Sequence, residues 1–141
     1  MSQIRIRRSK NKHSANAISK LDKICFPDDY PVDPQAPNTI WWIAWADGEP
    51  IAYAGIEQHK TWWFLCRVGV APDWRGKGIQ KQLIKKRVEY ARSVNDCPLY
   101  THTVVNNAAS SNSLISCGFR IFDPPWDWWK GCNVWKYRDK S

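Results

Sequence analysis

Hydrophobic and polar positions alternate along QIRIRRS, with Ile4 and Ile6 on one face, and this predicts a short first strand. Ser14 precedes ANAISKLDKICF, where Ile18, Leu21 and Cys25 recur at helical spacing, so a helix capped by Ser14 follows. Residues 27–38, PDDYPVDPQAPN, hold four prolines and three aspartates and read as a stiffened loop with one short helical turn. TIWWIAWA and EPIAYAGIE flank Asp47-Gly48, a pair that supplies the positive φ angles of a tight hairpin. TWWFLCRVGV makes a third strand of this group. From Gly78 to Ser93, residues Ile79, Leu83, Ile84, Val88 and Ala91 form one helical face, with Lys81, Lys85, Lys86 and Arg87 mostly on the wet side. PLYTHTVV is a strand, NAASSNSLISC a helix closed by Gly118, and FRIF and NVWKY are strands around the loop DPPWDWWKGC. The order β α β β β α β α β β, with its early meander, predicts one α+β domain over residues 1–141 with a mixed sheet.

Composition narrows the partners. The chain of 141 residues carries a formal net charge of +8, which favours an anionic partner: a nucleic acid, an acidic surface or a phosphorylated cofactor. Its ten tryptophans fall in doublets (Trp41-Trp42, Trp62-Trp63, Trp128-Trp129) without a fixed period, so no repeat array is expected. Each doublet on a strand puts one indole on each face, one for the core and one for a cleft or solvent. Five cysteines without a CxxC pair argue against a disulfide framework or a zinc site and for reduced thiols in a cytoplasm. The longest apolar run, IWWIAWA, is far below the roughly 20 residues of a membrane span, and MSQIRIRRSK lacks the apolar part of a signal peptide.

The chemistry concentrates in VGVAPDWRGKGIQ, residues 68–80, where two cations and two glycines occupy a strand-to-helix junction. A nucleotide P-loop needs GxxxxGK followed by Ser or Thr, which is absent; a dinucleotide fingerprint needs a third glycine, and Gly76-Lys77-Gly78 continues Ile79-Gln80-Lys81. A helix starting near Gly78 offers unpaired N–H groups and partial positive charge, a ready pyrophosphate site that Arg75 and Lys77 can reinforce. Arg75 to Gln80, after Val68-x-Val70 and the lead-in Pro72-Asp73-Trp74, resembles the acyl-CoA turn of the GNAT superfamily of N-acetyltransferases. Asn107-Ala108-Ala109-Ser110 through Leu114 to Gly118-Phe119 resembles a second signature of that superfamily. The two motifs stand in the expected order, and the resemblance spans nearly the whole chain.

The resemblance implies a GNAT fold: a mostly antiparallel sheet of six or seven strands, with a splay between the strand ending near Val70 and the one starting near Leu99. It implies transfer of an acetyl group from acetyl-CoA to a primary amine of a small molecule or peptide, with no metal. Val68, Gly69, Val70, Arg75, Gly76, Lys77, Gly78, Ile79, Gln80, Asn107 and Ser110 are the implied cofactor contacts. Gly69 within a strand also signals a bulge or a close approach on its own account. Gln80 replaces a small residue, so its side chain must turn away from the phosphates or bond to one. Leu114 stands where many members of the superfamily carry a tyrosine that protonates the departing thiolate, and a thiolate that leaves unassisted or with water follows.

A lysine-like amine with pKa about 10.4 must lose a proton before attack. Glu57 and His102 are the candidate bases, with His59 behind them. Asp28, Asp29 and Asp33 can draw in a cationic amine, and Trp126, Trp128 and Trp129 can box it. A rival reading makes the chain a basic, aromatic-rich nucleic-acid binder, and a third makes it a CoA-binding member without catalysis. A monomer or homodimer free of the membrane is expected.

Overall fold

The computed structural model describes residues 3–128 and 130–139. Its elements follow the expected order: β1 (Ile4–Arg8), α1 (Lys12–Cys25), β2 (Thr39–Ala46), β3 (Glu49–Gln58), β4 (Trp63–Val70), α2 (Ile79–Val94), β5 (Leu99–Val104), α3 (Ala108–Ser116), β6 (Phe119–Phe122) and β7 (Cys132–Tyr137). All seven strands form one sheet in the order β1-β2-β3-β4-β5-β7-β6. Every neighbouring pair is antiparallel except β4 and β5, so the sheet is mixed and the class is α+β.

Helices cover both faces. On one, Ala17, Ile18 and Leu21 of α1 pack on Trp41, Ile43 and Tyr53. On the other, Ile79, Leu83 and Ile84 of α2 and Leu114 of α3 pack with Trp42, Leu65 and Trp135. Residues 51–56 of β3 are all buried, as a strand covered on both sides must be. The double cover also changes the Trp41-Trp42 doublet: the indoles do point to opposite faces, but both are buried. In the second doublet Trp63 is core, whereas Trp62 is 37% exposed and stacks on His59.

Local chemistry sets the boundaries. Asp47 (φ 51°) and Gly48 (φ 80°) close the β2–β3 hairpin in the two-residue turn that their positive φ angles require. The cap of α1 is Asn11 rather than Ser14: the Asn11 side chain accepts from the Ser14 N–H at 2.9 Å, and Ser14 Oγ accepts from the Asn11 N–H at 3.2 Å. The reciprocal box draws the helix start three residues earlier, with Ser14 inside the first turn. Residues 27–38 form turns without a helical segment, because proline spacing removes the N–H donors a helix needs.

Gly69 owes its place to a ring. A Cβ there would meet Tyr53 Cε1 at 2.5 Å, so β4 lies on the tyrosine more closely than any side chain permits. Gly69→Ala is therefore expected to destabilise the protein by about 1–3 kcal/mol through overpacking. Urea unfolding of the variant, with Tyr53→Phe as a control that removes only the hydroxyl, measures it.

Candidate active site

The ladder between β4 and β5 is short. It pairs Trp63 with Leu99 and Phe64 with Tyr100 and then stops, although β4 runs on to Val70 and β5 to Val104. One further link spans the gap, where Thr101 Oγ1 donates to the Leu65 carbonyl at 2.8 Å. Beyond it the strands part, which is the expected splay.

A bulge turns β4 away. Ala54 of β3 pairs with Val68 and Ile56 with Leu65, so β4 carries an extra residue opposite Gly55. A Cβ on Gly55 would lie 2.7 Å from Cys66 Sγ and 2.8 Å from the Trp41 ring, so only glycine fits inside the bend. The bulge leaves the Gly55 and Cys66 carbonyls outside the regular ladder, and Arg87 of α2 takes both. Its Nη1 donates to them at 3.1 and 3.2 Å, and its Nε donates to Leu83 O at 3.1 Å. Arg87 is thus buried, at 2% exposure, and not on the wet side of α2. It occupies the apolar stripe four residues after Leu83 and four before Ala91. Burial pulls its pKa down to about 10, which keeps it a cation at neutral pH.

Two adjoining cavities fill the parting. The one at the start of α2, about 410 Å³, is lined by Val68, Gly69, Val70, Arg75, Gly76, Gly78, Ile79, Gln80, Asn107, Ser110 and Ser113, among others. Of the residues assigned to a cofactor from sequence, Lys77 alone is not in its wall; it is exposed. Gly78, at φ 80°, caps α2, and the first helical bond runs from Gln82 N–H to Gly78 O at 3.2 Å. The N–H groups of Ile79, Gln80 and Lys81 therefore have no helical partner. No acidic residue stands in that first turn. Arg75 Nε donates to the Val70 carbonyl at 3.0 Å, which folds the arginine along the cavity rim. Gln80 has turned aside: its Nε2 donates to Ser110 Oγ at 3.1 Å and ties α2 to α3. Asn107 caps α3 by accepting from the Ser110 N–H at 3.1 Å.

The second cavity, about 600 Å³, shares Phe26, Val68, Gln80, Asn107 and Ser110 with the first and passes through the sheet. Ile84, Arg87 and Leu114 line it on the helix side of the gap; Phe26, Asp29, Asp33, Glu57, Phe64 and His102 line it on the α1 side. Glu57 Oε1 lies 2.9 Å from His59 Nε2, and His59 stacks on Trp62 at 3.9 Å. His102 stacks on Phe64 at 5.2 Å and meets the edge of Trp128; burial pushes its pKa below the ordinary histidine value, so the imidazole is neutral at pH 7. Trp126 packs instead on Tyr100 and Phe122, and Asp28 is outside both walls. Trp129 lies outside the described residues. Cys66 is a packed thiol, raised to about 12 by burial, and not a nucleophile at neutral pH.

A family model described as Acetyltransferase (GNAT) family matches residues 15–119. The chain belongs to that family. Solved structures of low sequence identity share the fold of this GNAT chain. The ribosomal-protein-S18-alanine N-acetyltransferase of Escherichia coli superposes with a TM-score of 0.77 at 14% identity, over 96% of this chain and 93% of that one. PaiA N-acetyltransferase of Thermoplasma acidophilum, in complex with coenzyme A, gives 0.77 at 13% identity over 97% and 99%. IAA acetyltransferase of Bacillus cereus gives 0.74 at 20% over 96% and 99%. No curated protein sequence matches the chain. Among the described residues no cluster of three or more His, Cys, Asp or Glu is placed to hold a metal, and no helix is long and apolar enough to cross a membrane.

The residues that sequence reasoning passed over hold the loop above the GNAT cavity. Asp22 of α1, at 2% exposure, accepts from the Tyr53 hydroxyl, from Arg67 Nη1 at 3.1 Å and from the Val32 N–H at 3.0 Å. Burial first, and then the Asp22 carboxylate, push the Tyr53 pKa far upward, so its hydroxyl stays a donor. Arg67 also donates to Tyr30 O at 3.1 Å and lies over the Phe26 ring at 4.6 Å. The sequence signal was there in Asp22 standing next to Leu21 and four residues after Ile18, inside the packed face. Asp22→Ala leaves the Tyr53 hydroxyl without its acceptor and Arg67 with only Tyr30 O and the exposed Asp29, and a loss of about 3 kcal/mol is expected. Limited proteolysis within residues 27–38 should quicken in step with the lowered unfolding midpoint.

Proposed function

We propose that the chain transfers an acetyl group from acetyl-CoA to a primary amine of a small molecule or peptide by direct attack on the thioester. The observation that carries this reading is the gap beyond Phe64 and Tyr100, which opens at the start of α2 and runs through the sheet to an acidic, aromatic-walled mouth. The helix start suits the pyrophosphate, since its unpaired N–H groups and partial positive charge meet an anion with no acidic residue in the first turn. The freed edge of β4 at Val68 and Val70 suits pantetheine, which pairs with main chain as a strand does. Donors on that edge polarise the thioester carbonyl in the manner of an oxyanion hole. Coenzyme-bound structures of the same fold support the assignment.

Asp29 and Asp33 draw a cationic amine to the mouth, and Phe64 and His102 wall it, with Trp128 set against His102. Glu57 is the proton acceptor in this reading, with His59 placed to carry the proton outward. No tyrosine lines either cavity among the described residues, and Leu114 is buried in the wall. The thiolate, with a parent pKa of about 8.5, then departs unassisted or with water. The nucleic-acid reading has no comparable support.

Calorimetry tests the cofactor: CoA should bind to the purified chain, and Arg75→Glu should weaken it about tenfold by placing a carboxylate on the phosphate rim. No heat at millimolar CoA ends the enzyme reading. Glu57→Gln should lower kcat/KM at pH 7 by about 10²-fold or more. The deficit should shrink as pH rises toward the pKa of the amine, which then arrives already deprotonated; a pH–rate profile over a panel of amines reads this.

A further inference from the structure

Arg87 borders the cavity, and the acetyl-transfer reading gives its guanidinium no chemical part. A guanidinium has five donors. Three are satisfied by main-chain carbonyls: one from Nε to Leu83 O, and two from Nη1 to Gly55 O and Cys66 O. The two on Nη2 have no protein partner among the described residues, and the side chain borders the cavity. No carboxylate of the described residues forms an ion pair with it, and its thiol neighbour Cys66 is neutral. A buried cation held only by carbonyl dipoles is incompletely compensated, and an arriving anion gains most at such a place.

The position indicates which anion. Cys66 O, on which Nη1 rests, belongs to the bulge just before Val68, at the point where β4 leaves β5. The guanidinium reaches that point from α2, opposite the mouth that holds Asp29, Asp33 and Glu57. A negatively charged acceptor entering there passes Asp33 and Glu57, together with Asp29, which pairs with Arg67 at 3.6 Å. An acyl group delivered on the cofactor comes from the cavity at the start of α2, whose lining holds no carboxylate among the described residues. Arg67, the other arginine in the wall, is already engaged by Asp22, Asp29 and Tyr30 O.

We infer that Arg87 fits the cavity to acyl groups ending in a carboxylate, so that the chain binds a dicarboxylic acyl thioester more tightly than its uncharged counterpart. The inference rests on the CoA reading above and concerns the acyl donor within that same site.

Calorimetric titration of the intact chain decides it without any acceptor. Malonyl-CoA is compared with propionyl-CoA, and succinyl-CoA with butyryl-CoA, each pair matched in carbon number, with free CoA alongside. At least one charged member should bind tenfold or more tighter than its match. Arg87→Met should erase that preference, read as the affinity ratio within each matched pair so that any change common to all thioesters and free CoA cancels; Arg87→Lys should retain part of it. Equal affinities in the unaltered protein overturn the proposal even if Arg87→Met does not fold, and so does a preference that survives in Arg87→Met. It also falls if Arg87→Met leaves the thioester preference intact and instead abolishes the use of carboxylate-bearing amines. Absence of binding by free CoA removes the underlying reading itself, an outcome separate from the others.

Discussion

A strand that loses its neighbour partway along must find other partners for its N–H and C=O groups, and this constraint organises the molecule. β4 is paired with β5 over two positions only. The bulge opposite Gly55 starts the divergence, Thr101 holds the last carbonyl before the gap, and Arg87 holds the carbonyls the bulge displaces. What is left beyond them is an edge in the interior of a sheet, a place where edges are usually abolished by pairing. A slender, hydrogen-bonding ligand is the natural occupant of such an edge.

The surrounding parts serve that opening. Gly78 starts α2 beside it, Gln80 and Ser110 brace the two helices on one side, and the Asp22–Arg67 pair fastens the 27–38 loop on the other. Asp22 and Arg67 do their share because they reach main-chain atoms, the Val32 N–H and the Tyr30 carbonyl, that apolar residues cannot satisfy. The hydrophobic core is the complement: β3, covered on both faces, gives the opening a rigid wall.

Much of this was legible in the chain itself. The element order followed from period and turn chemistry, because Asp47-Gly48 and the α2 stripe are strong local signals. The turn that opens α2 was legible as well, since Gly76 and Gly78 at a strand-to-helix junction signal the positive φ angles found there. The misplaced Arg87 and the overlooked Asp22 share a cause. Arg87 and Asp22 sit in the packed face of their helices, and a charge in an apolar stripe is read as solvated unless its long-range partner is known. Arg87 is answered by carbonyls 21 and 32 residues away, Asp22 by Tyr53 and Arg67 at 31 and 45. Asn11 was missed for a smaller reason: in a reciprocal cap both residues are good capping types, and only geometry says which one leads.

The interrupted ladder also has a mechanical meaning. β5, β7 and β6 hang from the rest of the sheet by a two-position seam, a threonine link and the α2–α3 packing beneath. Such a seam is the weakest line in an otherwise continuous sheet, and its local opening is governed by whatever lies in the slot. A molecule lodged there acts as an eighth strand made of something other than polypeptide, so occupancy and cohesion of the two halves are one quantity.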